Sequence, residues 1–279
     1  MERRLITLGD TPISLLTEAF NAAFTAYYVP VNLTEEGMME RINRARVNLD
    51  LSVGILVGEE LVAFMLTGIG EQGGLPTAYN AGTGVIKAFR RQGMVRKMYD
   101  FAIPLWKQAG CQRASLEVIV KNERAIKAYE GVGFQIGRQL KAFKKNTDNN
   151  GSAAKPSLLR QVVVPNWERY HALCAFTSAW DYTRAGIEGL GEDYTFYEWG
   201  VDNEVPTAYA IVHKVGRIAQ AGIYYPTGPT WEELLKALEH SYAQLSWVNI
   251  DTKAEPLLLA LKELGWEHIV DQYEMERML

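Results

Sequence analysis

The stretch best equipped for chemistry is Arg90-Arg91-Gln92-Gly93-Met94-Val95-Arg96, where the apolar run Gly84-Val85-Ile86 gives way through a basic, glycine-containing turn to a helical pattern. Exposed amides at a helix start, at the positive end of its dipole, form an anion site, and Gly93 lets an oxyanion approach the backbone closely. Arg90, Arg91, Arg96 and Lys97 add formal positive charge. Downstream, Glu117 sits in the β-rich run Leu116-Glu117-Val118, a carboxylate suited to proton transfer or to a structural contact. Asn122 is placed to cap the next helix, and its carboxamide can equally bond an amide of a ligand. Tyr129 shares the face of Ala125, Ile126 and Val132, the pattern of a core aromatic.

These residues need a framework, and the pattern supplies one. Leu15, Leu16, Ala19, Phe20, Ala23, Phe24 and Tyr27 recur at helical spacing within Thr11–Tyr28, and Thr34–Val47 reads as a second helix with a Thr cap and Glu35-Glu36 in its first turn. Leu51–Val57 and Leu61–Gly68 flank Gly58-Glu59-Glu60 as a hairpin, and Pro76–Ile86 is a third extended region. Gly93–Gln108 is helical, with Pro104 expected to kink or shorten it. A strand (114–120), a short helix (122–132) and a final extended run (134–144) follow. Residues 146–157 are polar, small and turn-forming, the composition of a linker. Beyond them come a strand (158–164), a helix (Trp167–Ala179), strands at 196–200, 207–215 and 217–224, a helix (230–245), and a closing strand, helix and strand. A constant offset of 132 positions carries Leu116–Phe134 onto Val248–Trp266 and aligns Gly133-Phe134 with Gly265-Trp266, which indicates an internal duplication.

The chain has 279 residues, 48% hydrophobic and 22% charged, with a net charge of -4, so no global basic field favours nucleic acid. No apolar run is long enough to span a membrane and the N-terminus lacks a signal-peptide core, so a cytoplasmic location is expected. Cys111 and Cys174 are far apart without neighbouring ligands, and no metal site or disulfide is expected. His171, His213, His240 and His268 are scattered and read as structural or surface residues.

Taken together, Arg90-Arg91-Gln92-Gly93-Met94-Val95 and the later Asn122, Ala125, Tyr129 and Gly133-Phe134 resemble the two motifs of the GCN5-related N-acetyltransferase (GNAT) family, in order and with a helix and a strand between them. The resemblance covers about Leu5 to Lys145. It implies an α/β (α+β) fold with a mixed, mostly antiparallel sheet flanked by helices, arranged as two tandem GNAT-like domains: residues 1–145, a linker at 146–157, and a degenerate copy at 158–279. It also implies acetyl-CoA, or another acyl-CoA, as donor. Amides from Gln92, Gly93, Met94, Val95 and Arg96, with Arg91, would hold the pyrophosphate. Val85, Ile86 and Asn122 would contact the pantetheine arm, and Tyr129 would lie by the thioester sulfur. Val95 departs from the usual Gly or Ala, and Lys87 from a frequent proline.

The expected reaction is N-acyl transfer to a small-molecule or peptide amine by direct attack, without a covalent enzyme intermediate. An amine with a pKa of about 10 must lose a proton to attack, with Glu117 as the candidate base. The Ile86 amide would receive the developing oxyanion, and Tyr129 would protonate the leaving thiolate. A non-catalytic acyl-CoA binder or sensor is the alternative. The acceptor would be chosen by Phe20–Leu33 and by a loop at Glu71–Asn80, whose aromatic residues (Phe20, Phe24, Tyr27, Tyr28, Tyr79) suggest a partly apolar pocket. In the second half Leu261 stands for Tyr129 and Ala254 for Asn122, and the turn Tyr225–Thr230 has no basic residue, so that half is expected to pack on the first and wall the pocket.

Overall fold

Hydrophobic periodicity and turn chemistry set the elements of the first half. The computed structural model describes residues 2–25, 32–147, 158–190, 193–200, 205–225 and 227–279, so Tyr27, Tyr28 and most of the expected linker lie outside the described residues. By compactness the chain divides into two units, Met1–Gly137 with Glu274–Leu279, and Arg138–Tyr273. This division differs from the sequence boundaries at 145 and 158, because the last strand of the chain is shared out between the units.

In the first unit the strands are β1 (Arg3–Thr7), β2 (Val53–Val57), β3 (Glu60–Gln72), β4 (Leu75–Val85) and β5 (Arg113–Ile119), in that spatial order, followed by the C-terminal end of β12 (Glu267–Met278). The β1 strand went unread in the sequence because its residues are mostly exposed and lack alternation. Helix α1 (Ile13–Phe24) buries Leu16, Ala19, Phe20 and Ala23, and α2 (Glu35–Arg44) buries Met38 and Ile42, against Leu56, Phe64, Leu66 and Ala81 of the sheet. Each such large side chain contributes about 1.5–3 kcal/mol on burial. The Thr34 hydroxyl accepts the Gly37 N–H at 3.1 Å, fixing where α2 begins.

Helix α3 (Met94–Gln108) buries Met98, Tyr99, Ala102 and Trp106, and the indole N–H of Trp106 donates to the Leu51 carbonyl at 3.0 Å. Pro104 lies within it without shortening it: the helix reaches Gln108. Pro104 is exposed, so the Asp100 carbonyl deprived of its helical partner faces water rather than the core. After β5 come α4 (Glu123–Glu130) and β6 (Gln135–Asn146). The expected loop at Glu71–Asn80 is instead the tip of the β3–β4 hairpin, with Gly73 and Gly74 at positive φ forming the turn.

Two irregularities open this sheet. Leu66 pairs with Gly82 and Thr67 with Asn80, which makes Ala81 an extra residue that bends β4. Parallel pairing of β4 with β5 is confined to Thr77↔Arg113, Ala78↔Ala114 and Tyr79↔Ser115, after which the strands part.

The second unit repeats this order. Strands β7 (Leu159–Val162), β8 (Tyr194–Trp199), β9 (Ala208–His213), β10 (Arg217–Ile223) and β11 (Gln244–Asp251) lie side by side, and β11 then pairs antiparallel with β6 from Leu140 to Asn146. Its parallel pair, β10 with β11, is again short: Arg217↔Ser246 and Ile218↔Trp247. Its helices are α5 (Trp167–Leu173), the one-turn α6 (Arg184–Glu188), α7 (Trp231–Glu239) and α8 (Glu255–Glu263). The offset of 132 seen in the sequence carries the bounds of β6 onto those of β12. Helix α5 ends at Leu173 rather than at Ala179, because Cys174 turns to extended backbone and bridges Gly222.

Glu274–Leu279 is integral to the first unit. The Leu279 N–H donates to the Gln112 carbonyl at 2.9 Å, the Glu276 carboxylate meets Arg113 at 3.0 Å, and the Arg277 guanidinium bonds the Val132 carbonyl. Deleting Glu274–Leu279 should therefore lower the melting temperature measured by calorimetry by several degrees and raise hydrogen exchange in β5. An unchanged melt with unchanged β5 exchange would show that the segment is a passive tail.

Candidate functional site: a groove between the parted strands

The α3 N-terminus carries no side-chain cap and no acidic residue in its first turn. Its N-cap is Gly93 at φ 72, and Arg91 just before it is also left-handed at φ 63, an uncommon conformation for a residue with a side chain. A Cβ built on Gly93 meets nothing within 4 Å, so the space in front of these amides is open. The first helical N–H groups are thus presented to a void with the positive end of the dipole behind them.

That void is a groove of about 1440 Å³. Of the residues expected to bind the donor, Val85, Arg91, Gly93, Met94, Val95, Arg96 and Asn122 all border it. Gln92 does not: its carboxamide oxygen accepts from the Arg3 guanidinium and its amide nitrogen donates to the Ala88 carbonyl at 3.2 Å. Arg90 borders the groove but is committed to the scaffold, donating from Nε to the Val85 carbonyl at 3.0 Å and from Nη2 to the Ala23 carbonyl at 2.7 Å.

Ile86 is a correction. Its N–H donates to the Val62 carbonyl at 2.9 Å and is unavailable to an oxyanion or to a pantetheine arm. In an antiparallel ladder alternate residues turn their peptide groups to opposite edges. With Ile86, and by the alternation of the ladder Gly84, bonding toward β3, the peptide groups of Val85 and Thr83 face the edge that β5 has left, and the Arg90 bond to the Val85 carbonyl lies on that side. Val85, one residue earlier, is the donor that faces the gap.

Asn122 caps α4 through Oδ1, which accepts the Ala125 N–H at 3.3 Å, while its Nδ2 forms no hydrogen bond among the described residues. The cap and the groove-lining role therefore coexist. The two candidate catalytic side chains, Glu117 and Tyr129, do not border the groove. Glu117 is half-buried and accepts a hydrogen bond from the Tyr79 hydroxyl. Tyr129 is half-buried, its ring edge-on to Tyr99 at 6.2 Å and tilted against Phe134 at 6.1 Å. The aromatic pocket expected for the acceptor is partly core: Phe20 is buried and stacks with Phe64 at 5.5 Å, whereas Phe24 borders the groove.

Sequence reading missed the contacts that hold the bulge. Asn80, buried beside Ala81, accepts the Gly82 N–H at 3.0 Å and donates to the Tyr99 hydroxyl at 2.7 Å and to the Thr83 hydroxyl at 2.8 Å. Burial pushes Tyr99 well above the ordinary phenol range, so it stays neutral as that acceptor. Nothing in a lone Asn within a glycine-rich strand announced this role. Ala23 and Phe24 also border the groove, although they look like the end of a core stripe.

The matching place in the second unit is closed. Gly222 and Tyr224 bond toward β9, so Ala221 and Ile223 face the edge beyond β11, and there the chain's own Cys174 bridges Gly222. The approach is so close that a Cβ on Gly222 would stand 2.1 Å from the Leu173 carbonyl oxygen. The segment then crosses to β11, where Phe176 packs on Trp247 at 6.3 Å and the Thr177 carbonyl accepts from Arg138 at 2.6 Å. The α7 N-terminus is less open to an anion as well: a Thr230–Glu233 capping box takes up the Thr230 and Glu233 amides, and Glu232 and Glu233 occupy its first turn.

Among the described residues no group of His, Cys, Asp and Glu is arranged to hold a metal, and no helix is long and apolar enough to cross a membrane.

If the turn receives the donor expected from the sequence, replacing Gly93 by Asp should weaken acetyl-CoA binding about 100-fold, or ~2.7 kcal/mol, in titration calorimetry, because a carboxylate enters the anion site. Gly93→Asn, which tolerates the same left-handed backbone, should lose far less. Equal losses would assign the effect to backbone strain instead.

Comparison with known proteins agrees with this geometry. Residues 14–134 match the model of the acetyltransferase (GNAT) family. A GCN5-related N-acetyltransferase from Sphaerobacter thermophilus superposes with a TM-score of 0.70 at 10% identity, covering 99% of this chain and 95% of that one. A tandem GNAT protein from the clavulanic acid biosynthesis pathway, solved without acetyl-CoA, gives 0.64 at 14%, covering 99% and 98%. A GCN5-related N-acetyltransferase from Anabaena variabilis gives 0.59 at 15%, covering 99% and 73%. No curated protein matches the chain in sequence. The motif turn and the bulged, parted strands all lie within residues 14–134, the part of the chain that matches the model of the GNAT acetyltransferase family.

Proposed function

We propose that the chain is an N-acetyltransferase that moves an acetyl group from acetyl-CoA to a primary amine, and that only its first unit binds the donor. The observation that carries this is the single groove joining the uncapped α3 N-terminus to the open edge of β4. A diphosphate needs the former, and a strand-like amide arm needs the latter. The uncapped turn would hold the pyrophosphate, and the peptide groups of Thr83 and Val85, with Asn122, would pair with the pantetheine.

In the proposed reaction Glu117, held by Tyr79, takes a proton from the acceptor ammonium directly or through water. The free amine forms a bond to the thioester carbon, and the Val85 N–H receives the charge that develops on the carbonyl oxygen. As the carbon–sulfur bond breaks, Tyr129 gives its proton to the thiolate, and the second proton that the nitrogen loses on becoming an amide passes through water to restore the phenol. Neither side chain borders the groove, and both roles rest on the resemblance of the two motifs to the family. The same observation favours a second reading, a non-catalytic acyl-CoA binder. We further propose that residues 158–279 are a degenerate copy whose cleft is filled by Cys174–Thr177.

Release of free CoA thiol from acetyl-CoA with a panel of small and peptide amines tests the enzyme reading. Turnover with at least one acceptor supports it, and tight binding with no thiol release across the panel supports the binder. Tyr129→Phe should lower kcat about tenfold or more with little change in acetyl-CoA affinity, and an unchanged kcat would return this tyrosine to the core. Calorimetric titration should give one acetyl-CoA per chain. Two would mean that the Cys174–Thr177 segment yields its place.

A further inference from the structure

Resting on the proposed donor, we infer that Arg124 and Lys127 of α4 form a second anion site in the groove, one that reads the 3′-phosphate on the ribose of coenzyme A. The residues bordering the groove include seven Lys or Arg and one acidic residue, Glu123, and this surplus needs an explanation. Two of the seven are already committed to backbone carbonyls: Arg90 to Val85 and Ala23, and Arg96 to Gly131. Arg91 lies in the turn assigned to the pyrophosphate. Arg124 and Lys127, one helical turn apart, are exposed and form no hydrogen bond or ion pair among the described residues. Even Glu123, four residues before Lys127, makes no ion pair with it.

The Arg96 bond to Gly131 ties the C-terminal end of α4 to the first turn of α3, so both sets of cations face one void. Unpaired like charges around an open cavity repel one another, and a bound anion reverses that cost. The donor offers two anionic groups separated by one ribose: the pyrophosphate for the α3 turn, and the 3′-phosphate for a separate pair of cations. Arg offers a fork of donors matched to a phosphate, and Lys a compact charge beside it.

The test compares acetyl-CoA with acetyl-3′-dephospho-CoA on the full chain, using calorimetry and the double variant Arg124→Gln, Lys127→Gln. Wild type should bind acetyl-CoA about tenfold or more tightly than the dephospho compound, with the ratio falling as salt rises. In the double variant the ratio should collapse toward one, with dephospho affinity nearly unchanged. Both residues are exposed, so folding is not at stake. Equal wild-type affinities, or a variant that weakens both compounds alike, would overturn the inference while leaving the donor assignment intact. Failure of wild type to bind either compound would instead remove the donor assignment itself.

Discussion

The parting of β4 from β5 is the constraint on which the site depends. Backbone amides in a sheet interior are normally consumed by a neighbouring strand, and a ligand can use them only where that neighbour is missing. Ala81 supplies the extra residue that bends β4, and the buried Asn80 carboxamide ties the bulge to Tyr99 and Thr83 so that the bend is fixed. From there the ladder to β3 dictates which peptide groups are left over, and parity selects Thr83 and Val85. Gly84 of this strand follows from the same packing: a Cβ there would stand 2.4 Å from Phe64 and 2.8 Å from Ala23.

The second unit shows what happens when the chain itself fills the gap in a similar arrangement of strands. Its strands part in the same way, yet the chain turns out of α5 into the gap and takes up the edge itself. Its helix start is capped and acidic where that of the first unit is bare and basic. A helix terminus attracts an anion only if its amides are unspent and the local charge is favourable. The contrast between Gly93 and Thr230–Glu233 is therefore physical, and it divides the two units without reference to any catalytic residue.

Much of this was legible in the residues themselves. The basic turn, the Asn122 cap, the helix faces and the 132-residue repeat follow from local spacing, and the structure keeps them. What stayed hidden depends on pairing between distant segments. Val85 and Ile86 both looked gap-facing, with Ile86 as the oxyanion donor, because the side of a peptide group is set by register with β3, and a single sequence does not give register. The early end of α5 was masked by apolar residues that continue past Leu173, and the shared β12 by a linker composition that made a simple boundary look natural.

The central claim is that acyl-CoA lies along the open edge of β4 with its diphosphate on the α3 turn. Residue-resolved amide hydrogen exchange with and without saturating acetyl-CoA measures this directly. The account predicts strong added protection at Val85 and across Gly93–Arg96, with none at Ala221 or Ile223. Protection confined to the second unit, or none at Val85 and Gly93 with ligand bound, would contradict it.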